Sequence, residues 1–365
     1  MQSPDFPHAP MPEPVYLNTA AAGLISPASL ARSTAFAKQM LHNPSAAFAG
    51  WLAENFPVVR ENTARLLGCD SSRIAFVPNF SFGFNAVLQS LAGKIHRVLL
   101  FDQDYPSVNL PVTLGGFEVS YVESSDGFSI PFSAIRSAVL QRRIDAVVLS
   151  HVQFLTGFML DVEELGTFCR KHGVLFILDA TQSMGVLDYH LDLLPVDVVI
   201  SSSYKWLNGG YGSAVLYLEE SFINRFPPKF AGFGSMTLTP EGWSYAPSAR
   251  SFEPGHFSVE GLLRLEVAVT ERLAAGQSTV MQHDLALTGR LAAGLEKTSF
   301  SIRGGVSGSR AAILSFDASE EVAKYLATKN IVVTFRRGMI RVSPHLHNQP
   351  AEIDFLIEVL EQYGK

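Results

Sequence analysis

From Arg73 to Leu218 the chain alternates short β-branched runs with stretches of helical periodicity, and this alternation constrains the fold more than any other feature. RIAFV, HRVLLF, DAVVLSH, VLFILDA, VDVVISS and SAVLYL read as strands, and VEELGTFCRKHG between two of them carries the apolar period of a helix. Strands this apolar must be covered on both faces. A mostly parallel sheet with helices on each side meets that demand, which makes the fold class α/β. Ligands in such sheets bind at the carboxyl ends of the strands, and Asp179 closes one of them.

After the Gly/Pro-rich stretch FPPKFAGFGSMTLTPEGW the pattern changes. Residues 258–297 read as two helices. AAILSFD, a helix around SEEVAKYLATKN, the strands IVVTF and MIRVS, and a last helix from Ala351 then form a smaller α+β unit. The expectation is a large domain over 16–250 and a small one over 251–365, with a Pro-rich arm, 1–15, packing on the latter. With 365 residues, 47% of them hydrophobic, there is enough apolar material for a full core. The first residues lack the basic start and apolar segment of a signal peptide, and no apolar run approaches a membrane span. Two cysteines, Cys69 and Cys169, are too few for a disulfide framework, so a cytoplasmic setting is expected. A net charge of −6 gives no general attraction to nucleic acid or acidic membranes, and the arginine pairs at 142–143 and 336–337 read as solvated faces.

Chemistry enters with Asp179 in LDATQSMG and Lys205 in SSSYKWLNGGYG. Alone, each has an ordinary reading, as a strand-ending Asp and a solvated loop Lys. Together, with Gln182 after the Asp and Ser202 before the Lys, they are what a pyridoxal 5′-phosphate (PLP) enzyme needs. A Lys amine forms a Schiff base with the cofactor aldehyde, and a carboxylate keeps the pyridine nitrogen protonated so that the ring can accept electrons. The two segments resemble the signature of class V aminotransferases, the PLP-dependent fold-type I group that includes cysteine desulfurases, kynureninases and isopenicillin N epimerases. The resemblance spans residues 16 to about 360, and it implies a homodimer with sites built across two subunits.

Further motifs acquire roles through that resemblance. FVPNFSFGF puts Phe80 and Ser81 at a helix start, where free N–H groups and a hydroxyl would meet the cofactor phosphate, although local sequence leaves Ser81 equally open to an N-cap role. Tyr105 falls where the family stacks an aromatic ring on the pyridine. Gln182 matches the partner of the phenolic oxygen, and Ser202, in preference to Ser203, the phosphate-binding serine; Tyr204 is placed at phosphate as in kynureninases. In HVQFLTG, His151, Thr156 and Gly157 match the family, but Phe154 stands in place of an Asn. His256, in RSFEPGHFS, replaces a Thr that reaches the partner subunit's cofactor. Arg341, in RVSPHLHN, matches the clamp for the substrate α-carboxylate, and a guanidinium can hold a carboxylate bidentately. An isolated strand Arg in a surface ion pair is the ordinary alternative. Asn18, in YLNTAAAGL, belongs to a run that lines the substrate mouth. His345 and His347 form an HxH pair, yet no further ligands accompany them, so no metal site is expected.

Desulfurases of the family need a mobile cysteine late in the chain, and none follows residue 169 here. The leading expectation is a PLP-dependent aminotransferase acting on a small amino acid or related amine, with Lys205 as general acid/base. A kynureninase-like or C–S lyase-like enzyme, or an epimerase, is the alternative. Behind these stands a non-catalytic PLP-binding homologue, motivated by the changes at Phe154 and His256.

Overall fold

The computed structural model describes residues 14–306 and 309–363. A short strand β1 (Val15–Tyr16) leads into three helices, α1 (Pro27–Met40), α2 (Pro44–Glu54) and α3 (Phe56–Leu67). Strands and helices then alternate: β2 (Ile74–Val77), α4 (Phe80–Leu91), β3 (Arg97–Phe101), α5 (Pro106–Leu114), β4 (Glu118–Val122), α6 (Phe132–Arg142), β5 (Ala146–Ser150), α7 (Val162–Lys171) and β6 (Leu175–Asp179). Next come β7 (Val198–Ser202), β8 (Ala214–Leu218), α8 (Glu220–Arg225) and the hairpin of β9 (Met236–Thr239) and β10 (Gly242–Tyr245). The chain ends through α9 (Val259–Ala275), α10 (Gln277–Leu295), β11 (Leu314–Asp317), α11 (Glu320–Thr328), β12 (Ile331–Val332), β13 (Thr334–Arg336), β14 (Met339–Val342) and α12 (Pro350–Tyr363).

Seven strands form the central sheet in the order β2-β8-β7-β6-β5-β3-β4. All neighbours from β7 to β4 are parallel, and only β8 runs against its neighbours β7 and β2. This is the mostly parallel α/β sheet expected. Alternate residues divide between two cores: Val147, Phe176, Leu178, Val199 and Val215 face α3, α7 and α9, whereas Val148, Ile177, Ile200 and Leu216 face α4 and α5. Every residue of β5, β6, β7 and β8 is buried, which is why these strands read as unbroken apolar runs.

A third core lies among α10, α11, α12 and the sheet β11-β14-β13. The expected boundary at 250–251 cuts differently from these cores. Leu262, Leu263, Leu265 and Val269 of α9 pack in the large core with α3, so the smaller core begins at α10, where Leu287 and Leu291 turn toward Leu356 and Leu360. Of the arm expected over 1–15, most lies outside the described residues. Its last residue, Val15, lies in β1, which pairs in parallel with β12, Val15 opposite Ile331.

Candidate active site

One cavity lies at the carboxyl ends of β2, β5, β6 and β7, where the fold places ligands. Asp179 ends β6 and Lys205 follows β7, so adjacent parallel strands bring together two residues far apart in the chain. Lys205 is buried, and burial lowers its ammonium from the usual lysine range to about 8, although Asp179 opposes the shift. Burial likewise raises Asp179 to about 6, against the pull of Thr181, whose N–H donates to Oδ1 at 2.8 Å. The Lys205 ammonium lies 5.5 Å from the centre of the Tyr105 ring and 5.6 Å from that of Tyr204. Its amine makes no hydrogen bond among the described residues. A buried amine with a lowered pKa, facing a buried carboxylate, is a poised nucleophile and base.

At one end of the cavity α4 begins. Asn79 is its N-cap, with its side chain accepting from Phe82 N–H at 2.9 Å, so the cap role belongs to Asn79 rather than Ser81. The N–H groups of Phe80 and Ser81 have no carbonyl partner inside the helix, and both residues line the cavity. Ser107 and Ser202 line it as well. Ser203 is turned away, its hydroxyl bonded to Ser213. First-turn N–H groups, hydroxyls and a helix dipole fit a phosphate.

The aromatic wall is Tyr105, with Phe154 edge-on to it at 5.2 Å between ring centres. Asp104 holds Tyr105 from beneath: its carboxylate accepts from the N–H groups of Tyr105 and Ser150 at 2.7 and 2.9 Å and from the Ser150 hydroxyl at 2.5 Å. Burial raises its pKa. Tyr204 stacks on Tyr211 at 4.6 Å. Gln182 lines the cavity with its amide fixed at both ends, Nε2 donating to Ala20 O at 3.1 Å and Oε1 accepting from the Trp206 indole at 2.7 Å. His151 sits below the cavity, within 2.5 Å of the Tyr189 hydroxyl, and burial lowers it to about 4, so it is neutral.

Beneath Lys205 lies a buried polar cluster that no motif announced. Arg272, from the last turn of α9, donates to the carbonyls of Gly185 and Trp206, each at 2.6 Å, and to Asn208 Oδ1 at 2.8 Å. His345 Nε2 lies 2.9 Å from Trp206 O, 3.0 Å from Asn208 Oδ1 and 3.1 Å from Arg272 Nη2. Its Nδ1 lies 2.6 Å from Asp284 Oδ2. Burial raises the Asp284 carboxyl and pushes the His345 imidazole well down. His345 is thus engaged in holding the Lys205 loop.

Arg341 is buried on β14, its Nη1 donating to Phe154 O at 2.6 Å and Nη2 to Thr334 at 3.4 Å. Burial lowers it to about 10. Its Nε is buried and has no hydrogen-bond partner among the described residues, so the surface ion pair does not describe it. Asn18 Oδ1 accepts from the same Thr334 hydroxyl at 2.7 Å, which sets Asn18 beside the Arg341 group. His256 is not brought in: it is exposed, its ring edge-on to Phe48 at 4.9 Å. Ser107, Ser150 and Thr181, which line the cavity, and Asp104, which holds Tyr105 and Ser150, were missed by sequence reasoning. Only Asp104 had a signal, an acid placed directly before Tyr105.

The residues present fit PLP: a buried lysine, a buried carboxylate across from it, an aromatic wall, a phosphate cradle, and an unpaired guanidinium nitrogen beside them. Comparison with known proteins agrees. The uncharacterized aminotransferase YcbU of Bacillus subtilis is 26% identical, over 84% of this chain and 83% of that protein. A probable cysteine desulfurase of Pyrococcus abyssi is 24% identical over 84% and 82%. Among solved structures, the apo cysteine desulfurase of Thermococcus onnurineus NA1 superposes with a TM-score of 0.86 at 21% identity, covering 96% of this chain and 94% of that one, a likeness of fold. The model of the class V aminotransferase family matches residues 15–356. With that match spanning nearly the whole chain, the protein belongs to the class V aminotransferase family of PLP-dependent enzymes.

Proposed function

We propose that this protein is an aminotransferase that acts on a small amino acid through Lys205, Asp179 and Arg341. The observation that carries the reading is Lys205 itself, an amine lowered to about 8 by burial and held opposite Asp179. When bound, PLP supplies an electron-accepting ring for the pair left by a bond broken at the substrate α-carbon. Asp179 would pair with the ring nitrogen and Tyr105 would cover a ring face. Phe80 N–H, Ser81, Ser202 and Tyr204 would hold the phosphate, and Gln182 the phenolic oxygen.

Arg341 orients the substrate by its carboxylate, using the Nε that no protein group satisfies. Lys205 Nζ then carries a proton to or from the α-carbon; with a pKa near 8 it can both accept and release one at neutral pH. The Phe154–Tyr105 edge contact keeps water from that side. Both thiols argue against a desulfurase mechanism that carries sulfur on an enzyme cysteine. Cys69 and Cys169 pack against or within the core beneath the sheet, neither lines the cavity, and burial pushes each up to about 12.

The test is a half-reaction. Protein loaded with PLP is mixed with single L-amino acids, and the cofactor is recovered and identified. Conversion to the amine form of the cofactor, reversed by a 2-oxo acid, supports the aminotransferase. Release of an amino-acid fragment with the cofactor unchanged makes it a lyase and overturns the reading. A homodimer in the cytoplasm remains part of the proposal, supported by the family resemblance; among the described residues no helix is long and apolar enough to cross a membrane.

A further inference from the structure

β13 and β14 form a hairpin that turns through Arg337 and Gly338, with φ of 52° and 73°. Two consecutive positive φ values between the paired residues Arg336 and Met339 make a type I′ turn, which fixes register. Thr334 opposes Arg341 and Arg336 opposes Met339. Opposed residues share a face, as do positions two apart, so Thr334, Arg336, Met339 and Arg341 all point one way. The contacts agree: Arg341 reaches Thr334, and Met339 packs with Phe154 and Leu155.

Both guanidiniums converge on Phe154, a residue of the cavity wall. Arg341 donates to its carbonyl oxygen, and the Arg336 guanidinium carbon lies 5.5 Å from the centre of its ring. Two cations so placed repel each other, and Arg336 indeed contributes, after burial, to lowering Arg341, as it does for Lys205. Among the described residues no carboxylate pairs with either. Arg336 is exposed rather than packed, so its head is free to meet a solute. It is no plain solvated arginine, because it shares its face with the buried clamp and lies against the cavity wall.

We propose that Arg336 selects an amino acid whose side chain ends in a carboxylate or another oxyanion, held there while Arg341 takes the α-carboxylate. This rests on the reading of the site as a PLP enzyme with Arg341 as clamp. A side chain of one or two methylenes suits the pair, because Arg336 and Arg341 are diagonal neighbours on the hairpin, about 7–8 Å apart at Cα.

The test uses two α-methyl amino acids that cannot lose an α-proton. α-Methylaspartate and 2-aminoisobutyrate are titrated into PLP-loaded protein, and binding is read from the visible absorbance. Tighter binding of α-methylaspartate, weakened tenfold or more by Arg336→Met and partly restored by Arg336→Lys, supports the proposal, with 2-aminoisobutyrate unchanged within twofold. Arg336→Met that weakens neither ligand, or both equally, overturns it and leaves the PLP reading standing. If PLP produces no visible absorbance at all, the reading of the site itself falls, and this inference with it.

Discussion

Arg272 donates to the carbonyl oxygen of Trp206 at 2.6 Å, so a guanidinium in the core grips the residue directly after Lys205. The same group reaches Gly185, just beyond the Asp179 turn, and so staples the two halves of the site floor together. Removing it leaves three buried acceptors without that donor. Arg272→Met is expected to cost about 3–5 kcal/mol in urea unfolding, the range for breaking a buried charged network. Arg272→Lys, with one compact head in place of a fork, recovers only part.

Lys205 is expected to lower the stability of the cofactor-free protein. Burial holds its ammonium at about 8, below the ordinary lysine value of 10.5, so the cost is fully present below pH 8 and disappears as pH rises to about 10.5. Lys205→Met should therefore stabilise cofactor-free protein by about 2–3 kcal/mol at pH 7 and by nothing near pH 11. Denaturant titrations at the two pH values check this. The same variant should fail to retain PLP.

Asp179 behaves in the opposite sense. Burial holds its carboxyl at about 6, above the ordinary aspartate value of 3.8, so the burial costs nothing at low pH and the cost grows as pH rises from about 4 to 6. Asp179→Asn should stabilise the cofactor-free protein above pH 6 and leave it unchanged near pH 3.5. With PLP bound the ring loses its carboxylate, and turnover should fall roughly a hundredfold or more. Steady-state kinetics beside the melting curves separates the two effects.

The rate at which cofactor-free protein takes up PLP covalently should rise with pH and level off above about 8, since only the neutral Lys205 amine reacts. Stopped-flow absorbance reads this profile. A plateau above pH 10 would mean an ordinary solvated lysine.

Gly185 has φ of +102°, and a Cβ there would stand 2.4 Å from Trp206 O. Gly185→Ala therefore pushes the Lys205 loop off its floor. The expected cost is about 2–4 kcal/mol from strain and overpacking. Urea unfolding measures it, and PLP affinity should fall alongside.

The central strands were legible because burial on both faces leaves only apolar residues, as in VLFILDA and VDVVISS. β4 was not, because it is an edge strand with half-exposed residues, and EVSYV lacks their density. Asp179, Lys205 and Tyr105, which line one cavity, were legible because each stands in a short motif just past a strand end. Arg272 and Asp284 were hidden in ordinary helical sequence, and what marks them is depth, which periodicity does not encode. Arg336 read as a solvated face and is exposed, but its place beside Phe154 depends on the register of a two-residue turn, which the sequence pattern does not carry. Which core α9 joins was not legible, because its apolar stripe does not reveal which core it faces.

The pairing of Val15 with Ile331, with Asn18 bridged to Ser343 nearby, joins segments more than three hundred residues apart. During synthesis the central sheet, complete by Leu218, can collapse while the remainder is still being made. The first strand must wait for more than three hundred residues before its partner exists, and Arg341 appears at the same late moment. A chain stalled before β12 would thus hold Lys205 and Asp179 with neither the strand pairing of Val15 nor the guanidinium proposed to grip a substrate.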